Sequence, residues 1–178
     1  TERLGNAQVL FGAKLAPLQY ASPGRINVLV PSSVTPNTTT QIRVRRGDAL
    51  SLPVEFSIAV AQPAVYQFDG SAYAYSASTK APISASAPAH AGDVLTLYVI
   101  GLGEVDRALP DGSISPLSPP ARVSGVSVEL GGKPATIEFA GLTPEWVGLY
   151  QINIVVPEGV SGASVPLTVS IKEQRSEE

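Results

Sequence analysis

The chain has 178 residues, with 12 lysines and arginines against 15 acidic residues, and a formal net charge of −3. It contains no cysteine and one histidine, which excludes disulfides, cysteine nucleophiles and a metal centre built from several histidines. The charge provides no basic surface for nucleic acid, and no apolar run is long enough to span a bilayer.

Alternation of apolar and polar residues predicts strands along much of the chain. The clearest alternation covers residues 54–60, 95–100, 126–130, 152–156 and 165–171. Turn sequences rich in glycine and proline separate these stretches, and no long window has the helical period. The one helical turn that we predict has Thr143 as its N-cap and Pro144 at its first position. Many short strands of this kind predict an all-β chain of the sandwich type.

Asp69-Gly70 is typical of a tight two-residue hairpin turn. Four aromatic residues flank this turn: Tyr66, Phe68, Tyr73 and Tyr75. Exposed on one face, these rings would contact a sugar or a partner protein. Buried, they would pack the hairpin between two units of the chain, which is the interpretation that we favour. Tyr73 and Tyr75 are therefore candidate ligand contacts.

The chain partly repeats itself. Residues 9–21 resemble residues 128–140, and residues 25–31 resemble residues 151–157 in the same order. Almost half of the aligned positions are identical, as expected for a duplicated unit. Tyr20 and Phe139 are equivalent, and we expect each ring to fill the core of its own copy.

The two copies are incomplete in different ways. A predicted strand at residues 92–103 precedes the second copy, but no counterpart precedes the first. We therefore predict two tandem immunoglobulin-like β-sandwich units, at residues 1–62 and 63–172, followed by a polar tail at 173–178. The first unit would lack an N-terminal strand, as expected for the C-terminal part of a longer protein. Its open sheet edge would be available for pairing with another strand.

Several segments resemble one known family. Residues 18–31 read Leu-Gln-Tyr-Ala-Ser-Pro-Gly-Arg-Ile-Asn-Val-Leu-Val-Pro, and residues 91–103 and 148–157 continue the likeness. They resemble, in order, the motifs of the Solibacter-type uncharacterised C-terminal domain family of acidobacterial secreted proteins, with Arg25 replacing the usual glutamine. The second copy is also similar to the IPT/TIG class of immunoglobulin-like domains. The resemblance implies an immunoglobulin-like sandwich outside the cytoplasm, joined to larger proteins, and implies no activity.

Two aromatic residues lie in a segment that only the second copy contains. Tyr150 resembles the tyrosine corner of immunoglobulin-like domains, so we expect its hydroxyl to bond the backbone near Pro144 and Glu145. This makes Tyr150 a structural residue. Trp146 is the best single candidate for an exposed ligand contact, although a plug over the end of the sandwich is the favoured alternative.

The remaining motifs give little support for chemistry. Glu104, Asp106 and Asp111 could gather around Ca²⁺ in one loop, but a solvated loop is the favoured interpretation. The sequence from Gly101 to Asp106 begins like a dinucleotide-binding motif, yet no helix follows it. His90 lies in a loop where a solvated imidazole is the ordinary role. We therefore predict no catalytic residue, no cofactor and no metal.

These observations predict a non-catalytic, secreted or cell-envelope module with a structural, display or protein-binding role. The candidate partners are a protein or a polysaccharide at the cell surface. A carbohydrate-binding accessory of a larger secreted enzyme is the alternative, and it requires exposed coplanar rings among Trp146, Tyr73 and Tyr75. An enzyme relying on Glu104 and Asp106 is a third hypothesis.

Overall fold

The computed structural model describes residues 1–171 and the backbone of residues 174–175. Every strand pairing in this part of the chain is antiparallel, and the described residues form no helix. The predicted all-β class is therefore confirmed. Gln174–Arg175 of the predicted polar tail pairs with the preceding strand, and residues 173 and 176–178 lie outside the described residues.

The chain divides into two compact units. The first comprises Thr1–Val60 together with Leu109–Ser113, and the second comprises Ala61–Ala108 and the chain from Ile114 onward. The inclusion of Leu109–Ser113 in the first unit has a local reason, because Asp111 Oδ1 accepts a 2.9 Å hydrogen bond from the Ser32 backbone N–H. The sequence pattern gave no sign of this exchange.

Seven strands form the first unit: β1 (Ala7–Phe11), β2 (Lys14–Leu15), β3 (Leu18–Ser22), β4 (Arg25–Val28), β5 (Thr38–Arg46), β6 (Ala49–Leu50) and β7 (Val54–Ile58). One sheet has the order β2-β1-β5-β6, with β7 also paired to β5, and the second sheet contains β3 and β4. The core is small, with five buried residues: Val9, Phe11, Ala16, Leu18 and Ile58.

Eleven strands belong to the second unit: β8 (Ala64–Val65), β9 (Gln67–Phe68), β10 (Ser71–Ala72), β11 (Ala74–Ser76), β12 (Val94–Ile100), β13 (Val126–Leu130), β14 (Lys133–Pro134), β15 (Thr136–Leu142), β16 (Tyr150–Val155), β17 (Leu167–Ile171) and β18 (Gln174–Arg175). One sheet has the order β11-β12-β16-β15, with β8 on β12, and another has the order β14-β13-β17-β18. Strands β9 and β10 form a separate hairpin. Both larger sheets contribute to one core, which includes Leu97, Ile152 and Val169.

The two units use the same strand registers. Tyr20 pairs with Asn27 between β3 and β4, and Phe139 pairs with Asn153 between β15 and β16. Two other equivalent pairs agree as well. Leu10 pairs with Leu15 as Glu129 pairs with Pro134, and Ala21 pairs with Ile26 as Ala140 pairs with Ile152. The aligned sequence segments therefore form the same hairpins in both units.

An equivalent irregularity changes the direction of Tyr20 and Phe139. The register shifts between Leu18 and Tyr20 in β3, and between Ile137 and Phe139 in β15. One extra residue in a strand moves the following side chain to the opposite face of the sheet. The expectation that these two rings fill the cores is therefore corrected: Tyr20 is 49% exposed and Phe139 is half-buried.

The predicted helical turn at Thr143 and Pro144 is wrong. Glu145 has a φ of 65°, in the left-handed region, and the Trp146 N–H donates to the Thr143 carbonyl at 3.2 Å. These features make a tight turn between β15 and β16. Thr143 Oγ1 is buried and has no hydrogen-bond partner, so it caps no helix.

None of the described residues belongs to a helix with the length and hydropathy that a membrane crossing requires.

Candidate binding surface

The hairpin predicted at Asp69-Gly70 is confirmed. Asp69 and Gly70 have φ values of 51° and 74°, and Phe68 pairs with Ser71 across the turn. Positive φ at both central residues is the requirement of a type I′ turn, which aspartate and glycine tolerate well. The turn projects Phe68 into solvent, where its side chain is 73% exposed.

The pleat of the neighbouring sheet places three tyrosines on its outer face. Leu97 of β12 is buried in the core, so Tyr98 points to the opposite side. Tyr75 of β11 pairs with Thr96 of β12, and cross-strand partners share a face. Tyr73 lies two residues before Tyr75 and therefore has the same direction.

Phe68, Tyr73, Tyr75 and Tyr98 form a chain of ring contacts, which we call the aromatic surface. The centroids of Phe68 and Tyr73 are 6.4 Å apart with their planes at 50°, and those of Tyr73 and Tyr75 are 4.8 Å apart at 85°. Tyr75 and Tyr98 follow at 6.0 Å and 75°. These are tilted and edge-to-face arrangements, the geometries that the charge distribution of aromatic rings favours. The surface is ridged, because adjacent rings are not coplanar.

The hydroxyls of the aromatic surface are also connected. Tyr75 donates a hydrogen bond to the Tyr73 hydroxyl oxygen. This hydrogen bond, together with desolvation and the neighbouring phenols, raises the pKa of Tyr75 to about 12. At neutral pH Tyr75 is therefore an uncharged phenol. Tyr73 is 38% exposed and Tyr75 is half-buried, so the first ring is the more accessible to a ligand.

Trp146 is exposed but lies apart from these rings. Its side chain is 61% exposed, and among the described residues no ring contact joins it to Tyr73 or Tyr75. Backbone hydrogen bonds hold the turn, with Ser115 N–H donating to the Trp146 carbonyl at 2.9 Å. The favoured plug over the end of the sandwich does not describe this exposed ring.

Tyr150 makes the expected kind of bond to an unexpected partner. Its hydroxyl donates to the Gly103 carbonyl at 2.5 Å, not to the backbone near Pro144 and Glu145. Gly103 follows β12, the strand that pairs with β16, so the bond joins the ends of neighbouring strands. Burial raises the pKa of Tyr150.

Phe139 and Tyr20 occupy equivalent positions on the outer faces of their sheets, but only Phe139 has a cation over its ring in the part of the chain that the structure describes. The Arg122 guanidinium lies 5.0 Å from the centroid of the Phe139 ring, a cation–π contact. No ring or cation contact to Tyr20 occurs among the described residues. Phe139 is therefore a structural residue of the outer face, whereas Tyr20 is an exposed ring.

The acidic residues proposed for calcium do not come together. Asp106 Oδ1 accepts hydrogen bonds from the Arg122 backbone N–H at 3.0 Å and from Arg107 Nε at 3.2 Å. The Arg122 N–H is the main cause that lowers the pKa of Asp106. Asp111 belongs to the first unit instead. Within the part of the chain that the structure describes, no three acidic or histidine side chains are grouped as metal ligands.

His90 and Gly101 have structural explanations. Asp93 Oδ2 accepts from the His90 backbone N–H at 2.8 Å and lies 3.6 Å from His90 Nδ1, in an exposed loop. A Cβ atom at Gly101 would lie 1.9 Å from the carbonyl oxygen of Gln62, so the close approach of two backbones requires glycine there. The interpretation of Gly101 as a small residue at a strand exit agrees with this contact.

Two clefts in the second unit are each lined by one ionisable residue. One of about 350 Å³ has Glu158 as its ionisable lining residue, and one of about 210 Å³ has Asp93. Neither cleft brings two carboxylates together, as an acid–base pair would require.

Comparison with family models, with curated proteins and with solved structures finds no match for this chain. The resemblance to the Solibacter-type family therefore stays a prediction.

Sequence reasoning missed Tyr98 as a member of the aromatic surface. Its position between Leu97 and Val99 was the available signal, because alternation places a residue between two core residues on the outer face. What the sequence lacked was the pairing of β11 with β12, which brings Tyr75 to Tyr98.

Proposed function

We propose that the chain is a non-catalytic, secreted or cell-envelope module of immunoglobulin-like type that binds a partner protein through the aromatic surface. The observation that carries this proposal is the exposure of Phe68 and Tyr73 at one end of a chain of ring contacts. Tyrosine and other aromatic side chains combine large apolar area with a polar group and dominate the energetics of many protein interfaces.

The shared registers support a further part of this proposal, that the two units are copies of one immunoglobulin-like sandwich. Unrelated hairpins would have no reason to share a register shift at Tyr20 and Phe139. The likeness to acidobacterial secreted proteins supports a location outside the cytoplasm. The chain has no cysteine, so disulfide content argues neither for nor against this location.

The ring geometry favours a protein over a polysaccharide as the partner. Stacking on a sugar needs a flat platform, whereas Tyr73 and Tyr75 meet at 85°. Trp146 supports the carbohydrate alternative, because its indole is 61% exposed and offers one flat face for stacking on a sugar. The two functions therefore depend on different residues of the second unit.

Binding of the labelled full-length chain to intact cells that naturally produce it tests this proposal. We expect pretreatment of the cells with protease to abolish binding and periodate oxidation of their glycans to leave it unchanged. Replacement of both exposed rings, Phe68→Ser with Tyr73→Ala, should reduce binding at least tenfold, since two interface aromatic residues commonly contribute that much. Tyr20→Ala is the matched control, because it removes an exposed tyrosine from the first unit.

The opposite sensitivities to protease and periodate would support the carbohydrate-binding alternative. Binding that resists protease, disappears after periodate oxidation and depends on Trp146→Ala identifies a carbohydrate module. Turnover by the purified chain of ester or glycoside substrates, lost on replacement of Glu104 or Asp106, contradicts the non-catalytic proposal altogether.

A further inference from the structure

The chain contains the dipeptide Asp-Gly twice, at residues 69–70 and at residues 111–112. In such a pair the aspartate carboxyl can react with the backbone nitrogen of the glycine, because glycine has no side chain to obstruct the approach. Both glycines have a positive φ, of 74° at Gly70 and 72° at Gly112. The two sites differ in their surroundings, so the chain provides its own comparison.

The turn at Asp69-Gly70 is open to this reaction. Both residues are exposed, and no hydrogen bond or ion pair within the described part of the chain involves the Asp69 carboxylate. A Cβ atom at Gly70 would meet no heavy atom within 4 Å outside its two chain neighbours. The strands that hold the turn, β9 and β10, have only two residues each. A hairpin of this length has little stability of its own, so it opens locally at a small cost in free energy.

The turn at Asp111-Gly112 is held on both sides of the reacting bond. Asp111 Oδ1 accepts the 2.9 Å hydrogen bond from the Ser32 backbone N–H, which fixes the carboxylate. A Cβ atom at Gly112 would lie 2.8 Å from Pro17 Cβ, so the backbone of this glycine packs against the proline ring. Rotation of the peptide between Asp111 and Gly112 would therefore break a hydrogen bond and press the chain against Pro17.

We propose that Asp69 is a site of spontaneous isomerisation to isoaspartate, and that the fold protects Asp111 from the same reaction. The Gly70 nitrogen bonds to Asp69 Cγ, and the carboxyl hydroxyl leaves as water with the proton of that nitrogen. The product is a five-membered succinimide. Water then adds to either ring carbonyl and breaks its bond to nitrogen. Addition at Cγ restores aspartate, and addition at the main-chain carbonyl of Asp69 gives isoaspartate. The net change is an isomerisation that needs only water.

Isomerisation at Asp69 would dismantle the hairpin. The main chain of isoaspartate passes through Cβ and Cγ and is one atom longer, whereas a type I′ turn has two central residues of ordinary backbone. The pairing of Phe68 with Ser71 would be lost, and with it the contact of Phe68 with Tyr73. The reaction therefore removes Phe68 from the aromatic surface. A resulting loss of partner binding rests on the proposed function, whereas the isomerisation and the opening of the hairpin are measured without a partner.

Peptide mapping of the full chain, aged in mildly acidic buffer at physiological temperature, tests the proposal. Trypsin separates the two sites into the peptides 47–80 and 108–122, and electron-transfer fragmentation distinguishes isoaspartate from aspartate in each. We expect isoaspartate to accumulate at Asp69 and to form about tenfold or more slowly at Asp111, where the fold must open first. In denaturant the two sites should convert at similar rates. Equal conversion in the folded chain, or conversion of Asp69 in denaturant alone, overturns the proposal.

Matched variants separate the chemistry from the fold. Asp69→Glu retains the charge but would have to close a six-membered ring, so it should form no isomer, whereas Asp69→Asn retains a favoured type I′ sequence and should release ammonia in place of water. Ser32→Pro removes the N–H that holds Asp111 and should accelerate conversion at Asp111 alone. Amide hydrogen exchange of residues 67–72 should increase in the aged chain and not in aged Asp69→Glu. Unchanged exchange after conversion contradicts the loss of the hairpin, and an unchanged rate in Ser32→Pro contradicts the assigned protection.

Discussion

The two units of this protein have the same hairpins and different cores. The core cluster of the second unit contains thirteen buried hydrophobic residues, and that of the first contains five. The hairpin registers agree, including the shift before Tyr20 and Phe139, so the difference does not arise within the hairpins. It follows strand β12, which has no counterpart beside β4 among the residues that the structure describes. Register is thus set by local pairing, whereas burial depends on whether both layers of the sandwich are complete.

The burial of equivalent isoleucines gives the largest contrast that can be measured. Ile152→Ala should lower the free energy of unfolding of the second unit by about 2–5 kcal/mol, because it removes fully buried apolar atoms and leaves a cavity. Ile26→Ala should lower that of the first unit by only about 1 kcal/mol, since the side chain is already half-exposed. Hydrogen exchange in denaturant, resolved by peptide, follows each unit separately.

Trp146 offers an independent signal for this comparison. It is the one tryptophan of the chain and lies in the second unit, so its fluorescence should report the effect of Ile152→Ala. Equal losses from the two substitutions would show that β12 does not account for the difference between the cores.

The sequence predicted the parts of this fold that depend on local patterns. Alternation identified the main strands, and Asp69-Gly70 identified a hairpin that the backbone confirms. The directions of Tyr20 and Phe139 were not predictable in this way. Each follows an extra residue that shifts the pairing by one. Strict alternation would place Tyr20 on the same face as Leu18, and Phe139 on the same face as Ile137, so it predicts the wrong side of the sheet for both rings.

Long-range pairing explains the errors in the candidate site. Tyr150 was expected to bond the backbone near Pro144 and Glu145, but the pairing of β12 with β16 brings Gly103 within hydrogen-bond distance of its hydroxyl. Thr143 and Pro144 have the residue types of a helix start, yet a single turn between two paired strands has no length in which to form a helix. Tyr98 belongs to the aromatic surface for the same reason, because β11 pairs with β12 and this pairing brings Tyr75 into contact with Tyr98.

A smaller effect is expected where the second unit has a hydrogen bond and the first has none. Tyr150→Phe removes the bond to the Gly103 carbonyl and leaves that oxygen without its partner. The free energy of unfolding of the second unit should fall by about 1 kcal/mol. Tyr150 lies in the segment that only the second copy contains, so the first unit has no equivalent bond to lose. Denaturation midpoints followed by Trp146 fluorescence measure the change, and an unchanged midpoint contradicts a stabilising role for this hydroxyl.

The smallest predicted effect concerns the aromatic surface. This surface depends on the pairing of β11 with β12, and both strands belong to the second unit. The pKa of Tyr75 is about 12 in the folded chain and about 10 when unfolded, so the folded state holds the phenol proton more tightly. Its contribution to stability is therefore complete below about pH 10 and is lost as the pH rises through about 12.

Tyr73→Phe removes the hydroxyl that accepts the Tyr75 hydrogen bond, the main cause of the raised pKa. Tyrosinate absorbance during alkaline titration should then show Tyr75 ionising nearer to its ordinary pKa, while Tyr66→Phe, a matched change outside the ring contacts, should leave the high-pH step in place. Retention of that step in Tyr73→Phe would show that burial by the neighbouring rings, and not the hydroxyl pair, holds the proton.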